Sequence, residues 1–246
     1  MPYFKNNIVN ILFIHIPKTG GTAVERYLSQ RYNIKLSTSR LFFFDNTFSH
    51  VSLQHQTLST ILNHQSRFNI KLSDLMMFSV VRNPYTRLIS DLFWNKLING
   101  REPKTIITKR IKSYLQRFKR NQSALDNHIR PQYQFLIANG QIDPSIKILR
   151  QETLASDMNT LGFNNFPIKQ ESSRNYYDLL TFEAVSLINT VYSQDFVHFG
   201  YDMITSNEML KTKQTRNKPP KPPTPVPSPV KNQRPRILRR IFFPST

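Results

Sequence analysis

Ile8-Val9-Asn10-Ile11-Leu12-Phe13-Ile14-His15-Ile16 runs directly into Pro17-Lys18-Thr19-Gly20-Gly21-Thr22. The first part is a nearly continuous apolar run rich in Ile, the pattern of a strand buried on both faces. From Thr22 the apolar period becomes that of a helix, with Val24, Tyr27 and Leu28 on one face. Thr22 and Glu25 predict a capping box at its start. A strand that ends in a small-residue turn and opens a helix gathers backbone N–H groups and the positive end of the helix dipole around an anion. Gly20 and Gly21 let the backbone approach closely, Lys18 adds a full charge, and Thr19 and Thr22 offer hydroxyls. The expectation is a phosphate or sulfate site. It is not a Walker loop, because Lys18 precedes the glycines where that motif places lysine after them.

A second unit of the same kind follows. Asp74 to Val81 reads as a buried strand, Arg82-Asn83 as a turn, and Pro84 suits the first position of a helix running through Leu88, Leu92, Phe93 and Leu97 to a stop at Gly100. Further helices are predicted over Leu58–Phe68, Lys104–Phe118, Ala124–Ala138 and Phe182–Tyr192, and a short strand over Ser145–Leu149. Strands alternating with helices point to an α/β fold with a mainly parallel sheet.

At 246 residues the chain is long enough for one sizeable domain. Its net charge of +19 favours anionic ligands, but ten of the basic residues lie between Lys211 and Thr246, where there is no acid. The core thus carries about half of the excess, which weakens any argument from overall charge. The segment from Lys218 to Val230 holds seven prolines and cannot form a helix or central strand. Residues 1–206 are therefore read as the folded domain and 207–246 as a basic, Pro-rich, disordered tail. A solvated tail is the plain expectation; an acidic surface, a membrane or a partner protein is what it would contact. There are no cysteines, hence no disulfides and no thiolate metal site. No run approaches the roughly 18 apolar residues of a membrane span, and the N-terminal segment has no basic leader, so a cytoplasmic address is expected.

The stretch Ile14 to Thr22 resembles the 5′-phosphosulfate loop of the sulfotransferases that use 3′-phosphoadenosine-5′-phosphosulfate (PAPS). It is most similar to the carbohydrate branch that includes the uronosyl 2-O-sulfotransferases. Val80 to Ser90 resembles the same family's 3′-phosphate motif, an Arg at a strand end followed by a Ser eight residues later. The resemblance covers about residues 8 to 203. It implies a P-loop-like three-layer α/β fold with a central, mainly parallel sheet flanked by helices. It also implies PAPS as donor, a hydroxyl-bearing acceptor (a glycan), and no metal. Lys18 would contact the 5′-phosphate and stabilise the leaving oxygen, with Thr19, Gly20, Gly21 and Thr22 around it. Arg82 and Ser90 would hold the 3′-phosphate, for which an Arg fork is well suited. Arg87 is left as structural.

A hydroxyl acceptor must also lose a proton, and a histidine with a pKa near 6.5 can accept it at neutral pH. His55, in Gln54-His55-Gln56-Thr57, resembles the family's His-x-Thr segment and is favoured; His50, followed by Val51, is the rival. His15 reads as a core histidine, and His64, His128 and His198 lack a local catalytic context. Arg130, Gln132 and Arg150 fall in segments similar to the family's but serve structure equally well. Two other functions fit less well. A nucleotide kinase would need a Walker lysine and an Asp for Mg²⁺. A non-catalytic polyanion or nucleic-acid binder would interleave aromatics with basic residues, and no specific nucleic-acid module is present.

Overall fold

The computed structural model describes residues 1–37, 41, 50–167 and 175–215. Asn10–Ile14 (β2), Met76–Val81 (β3) and Lys147–Arg150 (β6) run parallel, and Tyr3–Lys5 (β1) adds an antiparallel edge, giving the order β1-β2-β3-β6. Ile137–Ala138 (β4) and Gln141–Ile142 (β5) form a separate antiparallel pair. In register, Ile14 faces Ser79 and Val81 faces Arg150. The turns that follow β2 and β3 therefore leave from the same, carboxyl edge of the sheet, which is where ligands bind in open α/β sheets.

Successive residues of β2 point to opposite faces, and helices cover both. Leu12 and Ile14 pack with Leu58 and Ile61 of α2 (Leu58–Asn63) and with Phe135 and Phe199. Ile11 and Phe13 pack with Val24 and Leu28 of α1 (Gly21–Tyr32) and with Leu154 and Met158 of α5 (Leu154–Thr160). Burial on both faces explains the unbroken apolar run. A third cluster joins α3 (Pro84–Trp94), α4 (Lys104–Arg120) and α6 (Phe182–Phe199) beside the sheet. The fold is mixed α/β, with a mainly parallel sheet flanked by helices.

Four local expectations are corrected. The capping box does not form: Gly20 caps α1 with φ 96° and no side-chain bond, and Glu25 is buried against His15 and Gln54. Helix α3 stops at Trp94 rather than near Gly100, because Lys96 turns left-handed (φ 56°) and the Leu97 N–H closes on the Leu92 carbonyl. The helix expected over 124–138 is replaced by turns, a 3₁₀ turn at Gln132–Phe135 and β4. Leu125, Asp126 and Asn127 all take positive φ, and Pro131 blocks a helical path. Asp126 and Asn127 are bonded to Ser52 and His55 instead. Finally, the domain does not end at 206: α7 (Asn207–Thr215) buries Leu210, and its Lys213 and Gln214 carbonyls accept from Asn175. The Pro-rich segment and the rest of the tail lie outside the described residues.

Candidate active site

The turn after β2 is shaped from below. Lys18 takes a left-handed φ of 68°, uncommon for a side chain with a Cβ, and Gly20 a φ of 96°. The Thr19 hydroxyl, expected to face an anion, is buried and donates to the Ile16 carbonyl at 2.9 Å. It fixes the turn rather than a ligand. Gly20 and Thr22 are exposed and no side chain caps α1, whose Ala23 N–H turns back to the Gly20 carbonyl at 3.0 Å; the start of a helix is where an anion is favoured. Gly21 is required by a close approach: a Cβ there would lie 2.3 Å from the His15 ring.

The turn after β3 meets this loop. Arg82 Nη1 donates to the Lys18 carbonyl at 3.2 Å, and Nε donates to Thr86 Oγ1 at 3.0 Å. The Gln132 side chain clamps the Arg82 backbone, accepting from its N–H at 2.9 Å and donating to its carbonyl at 2.8 Å. Gln132 is held in turn by Asp195, whose carboxyl is pushed up by burial. Glu152 accepts from the Asn83 N–H and from the Tyr201 hydroxyl. Ser90 is half-buried on α3, one turn past Thr86 on the same face, and Trp94 follows one turn later. The Lys18 ammonium lies 4.3 Å from the centroid of the Trp94 ring.

Arg87 is engaged by backbone carbonyls. Its guanidinium donates to the carbonyls of Pro17, Arg130 and His128 at 3.0, 3.1 and 2.8 Å, so it ties the Lys18 loop to the 128–130 turn. Arg150 likewise donates to the Phe199 carbonyl and stacks on Tyr201, a structural use.

Beneath these turns lie three histidines in a row, each bonded through Nδ1 to its own carboxylate. His15 pairs with Glu25 at 2.6 Å, His55 with Asp126 at 2.7 Å, and His128 with Asp91 at 2.6 Å. His55 is central, edge-on to His15 and to His128 at 5.1 Å between centroids in both cases. Asp126 is itself gripped by the backbone N–H and hydroxyl of Ser52, and Asp91 by the Tyr114 hydroxyl. Burial would raise the Asp126 carboxyl, but the bonds from His55 and Ser52 hold it below the usual range. Burial pushes His55 down to about 4; the Asp126 bond opposes this and the two neighbouring histidines add to it. His55 is thus neutral at pH 7, and an Nδ1–H held by Asp126 leaves Nε2 with its lone pair. His50 is exposed, and among the described residues only His55 of the two rivals has a carboxylate partner. His55, Asp126 and His128 each bring a donor atom within 4.8 Å of the others, a spacing that a metal ion could also use.

The model of the Sulfotransferase family matches residues 3–202. The chain belongs to the sulfotransferase family. No curated protein and no solved structure matches it. The enzyme is a transferase of sulfuryl groups, and the matched span contains the Lys18 loop, the Arg82 turn and all three histidine pairs. Among the described residues no helix of this sulfotransferase is long and apolar enough to cross a membrane.

Three partners in this site escaped the sequence reading. Asp126 stood inside a segment read as helix, and its partner His55 is 71 residues away. His128 lacked a local catalytic context, although it opens the same segment, similar to the family's, that holds Gln132. Glu25 was read as a cap. Gln132 had a weaker signal in its segment, which similarity had flagged without assigning its task.

Proposed function

We propose that the chain transfers the sulfuryl group of PAPS to a hydroxyl of a carbohydrate acceptor by in-line displacement on a P-loop-like fold. The observation that carries this reading is the 3.2 Å bond from Arg82 to the Lys18 carbonyl. It joins two cationic turns at one sheet edge, close enough to hold the two ends of one doubly phosphorylated nucleotide. Lys18, Gly20, Gly21, Thr22 and the Thr19 backbone surround the 5′ end, and Arg82 with Ser90 takes the 3′-phosphate.

His55 Nε2 accepts the proton as the acceptor oxygen forms its bond to sulfur, and Asp126 holds the ring in the required tautomer. The bond from sulfur to the bridging oxygen breaks, and Lys18 stabilises the charge left on the 5′-phosphate. A base so placed contributes roughly 10²- to 10⁴-fold. No step in this scheme requires a metal. The carbohydrate acceptor follows from the similarity of the Lys18 loop to the carbohydrate branch.

The test is a thermal-shift titration followed by transfer of ³⁵S from labelled PAPS to a panel of glycans. Adenosine 3′,5′-bisphosphate stabilises the protein without Mg²⁺ and ATP does not. Lys18→Ala and His55→Ala both lose transfer, the second with nucleotide affinity retained. Stabilisation by Mg²⁺–ATP alone would overturn the assignment.

A further inference from the structure

Trp94 is the only tryptophan in the chain and is 67% exposed, while other large aromatics of α3 and its neighbours pack inward. It lies on the α3 face that carries Thr86 and Ser90, at the end away from Arg82. Its indole is covered on one side by the ammonium of Lys18, 4.3 Å from the ring centroid. An exposed cation–π contact of this kind is worth only about 0.5–1 kcal/mol. The opposed charges of an ammonium and a phosphate in a desolvated cradle attract more strongly. An anionic 5′-phosphosulfate in the Lys18 loop, or the 5′-phosphate dianion of the bisphosphate, therefore draws the ammonium off the indole. It leaves an apolar ring face beside the place where the sulfuryl group must arrive.

We infer that the indole face of Trp94 is the stacking platform for the acceptor's sugar ring, and that Lys18 covers it until the donor is bound. Donor binding then precedes acceptor binding. The inference rests on the assignment of Lys18 to the 5′-phosphate. An adenine ring is the other group that would stack here, and the two occupants give opposite signs in the first experiment.

Trp94→Ala removes one contact that the nucleotide must displace from Lys18. The variant should bind adenosine 3′,5′-bisphosphate about two- to fivefold more tightly. Weaker nucleotide binding by Trp94→Ala would overturn the inference and place the adenine on the indole. In the wild-type protein the lone tryptophan reports directly. Adding the bisphosphate should increase acrylamide quenching of Trp94 fluorescence. An unsulfated oligosaccharide of alternating uronic acid and hexosamine, added second, should reduce quenching below its starting value. The same oligosaccharide without nucleotide should leave quenching unchanged. If the bisphosphate raises the melting temperature but does not change quenching, or if the oligosaccharide fails to protect the nucleotide complex, this inference fails while the donor assignment stands. If the bisphosphate neither stabilises the protein nor changes quenching, the donor assignment fails and takes the inference with it.

Discussion

Gly21→Ala separates two forces that act in opposite directions. Gly21 is the first residue of α1, and alanine in a helix is favoured over glycine by up to about 1 kcal/mol. On propensity alone the substitution stabilises. The new methyl, however, would sit 2.3 Å from both Cδ2 and Nε2 of His15, where relaxed carbon contacts need about 3.5–4.0 Å. The ring must move by more than about 1 Å, and three neighbours resist. Nδ1 is bonded to Glu25 at 2.6 Å, Phe13 stacks at 5.6 Å between centroids, and His55 stands edge-on. Overpacking of this kind costs about 1–3 kcal/mol. The net loss is about 1–2 kcal/mol, or about 2–8 °C in melting temperature for a domain of this size. Calorimetry of the ligand-free protein measures it. A second arm places the same substitution in a His15→Ala background, where the methyl has room and should be neutral or stabilising. A higher melting temperature for Gly21→Ala alone, or an equal penalty in both backgrounds, would refute the argument that His15 dictates glycine here.

Three further outcomes follow from the site. Burial holds His55 at about 4 against an unfolded value near 6.5, so the unfolded chain takes up the proton first as pH falls. Stability from this residue is complete above pH 6.5 and is lost on descending to about 4, roughly 3 kcal/mol in all. His55→Gln should flatten the dependence of melting temperature on pH in that window, and parallel curves for the two proteins would count against it. Asp126→Asn removes the acceptor that fixes the His55 tautomer, and transfer should fall by about 10²- to 10⁴-fold with bisphosphate affinity unchanged; a loss of nucleotide binding instead would mark Asp126 as part of the donor site. Arg82→Lys keeps the charge but not the fork, and bisphosphate affinity measured by calorimetry should drop roughly ten- to a hundredfold; unchanged affinity would remove Arg82 from the 3′-phosphate site.

The sheet was legible because burial on both faces imposes an unbroken apolar pattern on β2 and β3, and the strand-end turns carry their own Gly and Pro punctuation. Lys18 and Arg82 could therefore be placed at one edge before any geometry was known. Asp126 and His128 could not. Their segment has helix-compatible composition, and what overrides it is tertiary: Asp126 is held by Ser52 and His55, and Asn127 donates to the His55 carbonyl at 2.9 Å. Bonds across about seventy residues leave no trace in local periodicity. The same limit applied to Glu25, whose spacing from Thr22 matched a cap but whose side chain is turned inward to His15.

Arg87 shows how the two kinds of information meet. The sequence reads Arg87 as structural, and its fork is indeed engaged by three backbone carbonyls, with Tyr192 under the guanidinium at 5.9 Å. The three acceptors are carbonyls of the Pro17, Arg130 and His128 segments, and the buried Asp195 carboxyl is an acidic group that feels the guanidinium. The charge adds to the positive field in which a phosphate is bound. A lysine could supply the charge but not three simultaneous directed donors. The residue that joins the anion loop to the histidine row is thus held by a geometry that only a guanidinium supplies.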